Sequence, residues 1–178
     1  MTWNNGFWWP LYTTAWYSPH VSQYMFDPYS LINFSHGIIL QIIPSKIFPR
    51  PPVQQTVGGF LFAMLLQVVW EVVQNTEPVM NMMTTFSENS GASKEFGGES
   101  VQNMIGDLVS CAGGFILATS LQMAEMGWVS FVLMVISEIA CILYMRDSWG
   151  LIIFNLAYKS EALLAWQEEG IPGNGKES

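Results

Sequence analysis

The feature that most limits this chain is a series of apolar runs about as long as a bilayer's hydrocarbon core is thick. Crossing roughly 30 Å as a helix takes about 20 mostly apolar residues. Residues 56–73, 101–123 and 127–145 approach that length with few interruptions. A fourth run, residues 31–48, is broken by Asn33, His36, Gln41 and Pro44, yet without it the other three lack an antiparallel partner. Composition points the same way: of 178 residues, 51% are hydrophobic and only 11% charged, less than half the charged share usual in a water-soluble domain. The expected fold class is therefore all-α, an integral membrane bundle of about four transmembrane helices.

Other classes fall away on charge and cysteine usage. Six Lys and Arg against fourteen Asp and Glu leave a net charge of −8, which opposes phosphate-backbone contact and excludes nucleic acid as a partner. Cys111 and Cys141 sit in separate apolar runs, so neither a disulfide framework nor a zinc ribbon is expected. Residues 1–10 hold no basic segment followed by an apolar stretch, and so no signal peptide is expected there. Residues 170–176, Gly-Ile-Pro-Gly-Asn-Gly-Lys, imitate a phosphate-binding loop. However, Glu177 replaces the magnesium-binding Ser or Thr, and no strand precedes the match.

The chain divides into an aromatic interfacial segment (residues 1–30), a transmembrane domain (31–166, closing with a lateral or re-entrant helix at 149–166) and a polar tail (167–178). Trp3, Phe7, Trp8, Trp9, Tyr12, Trp16 and Tyr17 crowd the first part without a charge among them, a composition favoured at the level of lipid headgroups. Lys46 and Arg50 in the first connection favour a cytoplasmic placement for it, which puts both termini on the outer face; Arg146 opposes this.

In an up-and-down bundle, the start of an odd span and the end of an even one share a membrane face. His36 begins span one, Glu71 and Asn75 end span two, Asn103 and Asp107 begin span three, and Arg146 and Asp147 end span four. Gln67, Glu71 and Asn75 recur every four residues, as do Glu99, Asn103 and Asp107 if the third helix starts early enough, so each set lines one stripe. Facing lipid would cost several kcal/mol, so these side chains are expected to turn inward. His36, Glu71 and Asp107 are the candidate catalytic or metal-binding residues, whereas Asp27, Asn75, Asn103, Glu138, Arg146 and Asp147 are read as a structural polar cluster. The competing reading is that all of them only knit helices together. His20 and His36 are the candidates for holding a cofactor; His20 among aromatics is more readily an interfacial anchor. Gly106, Ser110, Gly114 and Ala118 form a small-residue face on span three whose partner, in this chain or another, is open.

The blocks Phe26-Asp27-Pro28-Tyr29-Ser30, Ser35-His36-Gly37 and Trp70-Glu71-Val72-Val73-Gln74-Asn75 resemble the bacterial DUF2585 (UPF0314) membrane proteins. So do Gly98-Glu99-Ser100-Val101-Gln102-Asn103 with Asp107, Glu138, Tyr144-Met145-Arg146-Asp147, and residues 161–167, the similarity covering about residues 24–167; more distantly the chain resembles the VanZ-like group. The resemblance implies a small multi-pass protein of the bacterial inner membrane and carries no settled reaction. Its pattern residues present here are Asp27, His36, Glu71, Asn75, Ser100, Asn103, Asp107, Glu138, Arg146 and Asp147. Three positions depart from the pattern: Gln74 stands in place of an acid, Glu99 in place of Asp and Ser148 in place of Asn, and the family's additional N-terminal span is expected to be missing.

Losing a carboxylate compromises catalysis or metal binding before it compromises the scaffold. The favoured reading is therefore a non-catalytic accessory subunit of a larger membrane assembly, such as a photosynthetic or respiratory complex. Its 11 Met and 25 aromatic residues (8 Trp, 6 Tyr and 11 Phe) suit contact with protein, lipid or pigment. The alternative is a membrane enzyme acting on a lipid or polyprenyl headgroup through His36, Glu71 and Asp107. A proton or solute conduit is disfavoured because the far halves of spans three and four are nearly devoid of polar residues.

Overall fold

A computed structural model describes residues 11–16, 21–47, 52–80, 98–158 and 160–169. His20, most of the aromatic segment, the loop at 81–97 and the tail from 170 lie outside the described residues. The order of elements is a 3-10 turn (Val21–Gln23), α1 (Ser30–Ile47), α2 (Pro52–Gln74), α3 (Val101–Met123), α4 (Gly127–Met145), α5 (Trp149–Tyr158) and α6 (Glu161–Glu168). The fold is helical as expected, and α2 from Thr56, α3 and α4 are long and apolar enough to cross a membrane, with a shorter apolar stretch, Ser30–Ile43, in α1.

The weakest span by hydropathy is the central helix. α1 packs against α2, α3 and α4, most extensively against α3. Its Asn33, Ser35 and Gln41 are buried among those neighbours and not presented to lipid. A helix shielded on most sides can carry polar groups that a peripheral span cannot, because they find partners on adjacent helices. Two apolar clusters among the described residues hold the bundle. Leu40, Ala63, Cys111 and Phe115 join α1, α2 and α3. Ile32, Cys141 and Met145 join α1 to α4, with Trp16, Tyr29 and Trp149 packed against them.

The small-residue face of α3 meets α1 of the same chain. A Cβ on Gly114 would lie 2.0 Å from the Phe34 carbonyl oxygen, and one on Gly37 would lie 1.9 Å from that of Cys111. Gly106 abuts the backbone preceding α1, where its Cβ would fall 1.5 Å from the Met25 oxygen. Ala118 is fully buried, whereas Ser110 is only half-buried, since the buried stripe runs through Cys111.

Local signals account for the helix ends. Asp27 and Ser30 form a reciprocal box before α1: Ser30 N–H donates to Asp27 Oδ1 (3.1 Å) and Asp27 N–H to Ser30 Oγ (3.1 Å). Ser100 caps α3 by accepting from Asn103 N–H at 3.1 Å. Beyond α4, the expected single lateral helix is two helices, because Ser160 starts α6 afresh by accepting from Leu163 N–H at 3.4 Å.

Candidate functional site

The inward stripe at the end of α2 organises the polar centre. Gln67 and Glu71 are 0% and 1% exposed, and Gln74, one turn on, is also buried. The Gln67 amide donates to Asn33 Oδ1 (2.9 Å) and to Glu71 Oε1 (2.6 Å). Both partners are acceptors, so the opposite end of the amide, Oε1, faces His36 Nδ1 at 2.8 Å, and Nδ1 must carry the hydrogen. His36 is thereby held one amide away from Glu71, with its ring against Trp149 at 4.9 Å between centroids.

The next turn of α2 captures Glu99 from beyond the long loop. Gln74 Nε2 donates to Glu71 Oε2 (2.8 Å) and to Glu99 Oε2 (2.6 Å). Asn75 donates to Glu99 Oε2 (3.2 Å) and accepts from the Glu99 backbone N–H (2.8 Å). Just before this capture Gly98 adopts φ +87°, a left-handed backbone that favours glycine. The helical stripe expected for Glu99, Asn103 and Asp107 is corrected: α3 begins at Val101, and Glu99 reaches the centre from extended chain ahead of the Ser100 cap.

Glu71, Glu99 and Asp107 each place one carboxylate oxygen within 4.8 Å of the others. Asp107 is 2% exposed, and its Oδ1 has no hydrogen-bond partner among the described residues. One turn earlier, Asn103 Nδ2 donates to the Tyr24 carbonyl (2.9 Å) and to Asp27 Oδ2 (3.1 Å). Ser100 N–H donates to the Ser22 carbonyl (3.0 Å), so the segment before α1 is strapped across the start of α3.

Burial makes the acids outside the spans reluctant to ionise. For Glu99, outside the spans, desolvation and then the neighbouring Glu71 carboxylate push the pKa up to about 8. Desolvation raises Asp27 to about 7 against the opposing hydrogen bonds from Ser30, Tyr29 and Asn103. Asp147 rises to about 6 through burial, with the Ser148 N–H opposing it.

The sequence-based candidates separate into two groups. Glu71 and Asp107 come together with Glu99; Asn75, Asn103 and Asp27 surround them, and His36 stands one residue out. The second group lies around the α4–α5 junction. Glu138 Oε2 accepts from Gly150 N–H (3.2 Å), and its Oε1 and the Trp149 Nε1 are buried without partners among the described residues. Asp147 Oδ1 accepts from Ser148 N–H at 2.8 Å. Trp149 links the groups, its ring lying between His36 and Trp70, the latter at 5.6 Å.

Arg146 turns away from both groups. It has φ +53°, and its guanidinium donates to the Trp166 carbonyl, lies 5.0 Å from the Trp166 ring centroid and stands 4.0 Å from Glu169. Gln167 returns a bond to the Arg146 carbonyl at 2.8 Å, so Arg146 clamps α6 to the end of α4. Glycine suits that backbone but lacks the clamp. Arg146→Gly is therefore expected to leave the bundle's stability within about 1 kcal/mol while exposing the chain around α6 to limited proteolysis. An unchanged cleavage pattern would refute the clamp.

Glu99 is the site residue that candidate selection from sequence passed over. Its i, i+4, i+8 relation to Asn103 and Asp107 and its departure from the family pattern were the available signals. Gln74, where the family pattern has an acid, supplies the amide that bridges two carboxylates.

Apolar helices closed at one end by buried carboxylates and amides define a multi-pass α-helical membrane protein with an internal acidic centre. The chain belongs to the DUF2585 family: residues 3–169 match the family described as "Protein of unknown function (DUF2585)". That match takes in much of the aromatic N-terminal segment as well as the blocks beyond residue 24. Similar curated proteins are bacterial. A UPF0314 protein of Brucella anthropi is 24% identical over 146 residues, 82% of this chain and 69% of the relative. One from Sinorhizobium fredii is 26% identical over 82% of this chain and 68% of its own length. A UPF0314 protein of Paracoccus denitrificans is 26% identical over 84% and 72%. No solved structure matches the chain.

Proposed function

We propose that this protein is a non-catalytic accessory subunit that stabilises a larger protein assembly in the bacterial inner membrane. One observation carries the reading: the polar centre is spent on the chain's own joints. Gln67, Gln74, Asn75 and Asn103 tie α2, α1, the segment before α1 and the start of α3 to one another, leaving Glu71, Asn103 and Asp107 almost wholly enclosed. A substrate headgroup would have to displace several of these bonds to reach them.

What faces outward is apolar. Only 17% of the α2 span and 22% of the α4 span are buried, and Leu61, Phe62, Leu65 and Val69 of α2 are exposed. Lipid tails contact such surfaces, and their aliphatic and aromatic side chains also suit packing against other subunits, lipid or pigment. A photosynthetic or respiratory complex is the setting proposed for that contact.

Gentle detergent extraction tests the reading. The protein is expected to co-migrate with a defined set of integral-membrane subunits at fixed stoichiometry, identified by mass spectrometry. Migration alone as a monomer overturns it.

The second reading, an enzyme acting on a lipid or polyprenyl headgroup through His36, Glu71 and Asp107, is favoured by Asp107 Oδ1 and Glu138 Oε1, which are buried without a hydrogen-bond partner among the described residues. It requires Glu71→Gln and Asp107→Asn to abolish the cellular phenotype in protein that still assembles in the membrane. The accessory reading expects both variants to retain it.

A further inference from the structure

We propose that Glu71, Glu99 and Asp107 bind one divalent cation of about the size of Ca²⁺, a site that goes beyond the accessory reading and does not depend on it. The three acids come from the end of α2, the chain ahead of α3 and the second turn of α3. Their nearest carboxylate oxygens lie within 4.8 Å of one another. Oxygens bound to one calcium ion at about 2.3–2.6 Å each can stand at most roughly 5 Å apart. Three oxygens mutually within 4.8 Å are close enough to share one ion.

The second and independent observation is Asp107 Oδ1. It belongs to a side chain 2% exposed and has no hydrogen-bond partner among the described residues. Orphaned carboxylate oxygens are costly in such surroundings, and a cation supplies what the protein does not. Oxygen-only donors select hard ions over zinc or copper. His36, the nitrogen donor expected from sequence, is held out of the set by Gln67, which takes its Nδ1. Gln67, Gln74 and Asn75 form an outer layer of amides that orients the Glu71 and Glu99 carboxylates from behind. Glu99, half-buried, is the most exposed of the three.

Full-length protein in detergent, stripped with a chelator, is titrated with CaCl₂ by calorimetry at constant ionic strength and melted in parallel. The expected result is one Ca²⁺ bound per chain and a Tm that climbs with Ca²⁺ concentration. Asp107→Asn and Glu99→Gln should each weaken binding by about tenfold or more, whereas exposed Glu161→Gln should not. If Asp107→Asn fails to fold, Glu99→Gln and the wild-type titration decide. Absence of saturable Ca²⁺ binding by wild-type protein overturns the site. So does binding of Mg²⁺ alone, or equal affinity in the wild-type and the folded variants.

Discussion

Gly114→Ala is expected to cost about 3 kcal/mol or more, or to prevent accumulation of folded protein. The added Cβ would sit 2.0 Å from the Phe34 carbonyl oxygen, 3.0 Å from its carbon and 3.2 Å from Ile38 N. All three are backbone atoms of α1, so no side-chain rotation relieves the overlap, and α1 and α3 would have to move apart along their most extensive contact. That movement would also open the Leu40, Cys111 and Phe115 cluster. Gly58→Ala is the matched control: no atom of the described residues lies within 4 Å of where its Cβ would sit. Helix propensity alone then predicts a neutral or slightly stabilising change, by up to about 1 kcal/mol. Thermal melting in detergent compares them directly, and equal melting of Gly114→Ala and wild type would refute the close helix contact.

The strap before α1 is the second point of large effect. Asn103→Leu removes the donor shared by the half-buried Tyr24 carbonyl and Asp27 Oδ2, leaving the carboxylate oxygen buried without it. The expected loss is about 3–5 kcal/mol, since one orphaned partner is a carboxylate. Acid should partly rescue the variant. Asp27 holds its proton up to about pH 7 in the folded protein against an ordinary value of 3.8. Between those values the folded state binds a proton that the unfolded state has released, so stability is gained as pH falls. The gain is complete below about pH 4 and is lost as pH rises through about 7. Its ceiling is about 4 kcal/mol. Asp147, raised to about 6, acts in the same direction over a narrower window. Without Asn103, whose donation holds the Asp27 value down, the dependence should extend to higher pH and grow in total size. A Tm indifferent to pH between 4 and 7 in both proteins would contradict the assignment.

Much of this was readable from residue order. Helix class and the three strong spans follow from the length of the apolar runs, because hydrocarbon leaves a backbone few alternatives to satisfying itself internally. The four-residue recurrence of Gln67, Glu71 and Asn75 marked an inward stripe, since a lipid-facing one would be too costly. Alternation of span direction placed that stripe at the same end as Asp107 and His36. Gly106 and Gly114 announced a close helix contact through their spacing.

Which neighbour each stripe meets was decided by tertiary structure. Helical periodicity sets the angle of a side chain about its own axis and says nothing about the helix opposite. Hence the glycine face was legible, but its partner, α1, was not. The polar interruptions that made α1 the weakest span are the consequence of its central position, where other helices replace lipid as its surroundings. Glu99, and not His36, completes the acidic centre because Gln67 stands between the imidazole and Glu71, while Asn75 and Gln74 draw in a residue 24 or more positions along the chain. Arg146 clamps α6 because the Trp166 carbonyl and ring and Glu169 engage its guanidinium. Sequence by itself determined the number, length and polarity of the rods and the end at which their polar groups collect. Packing alone decided which of those groups touch, because hydrogen bonds of about 3 Å depend on the relative rotation and approach of helices far apart in the chain.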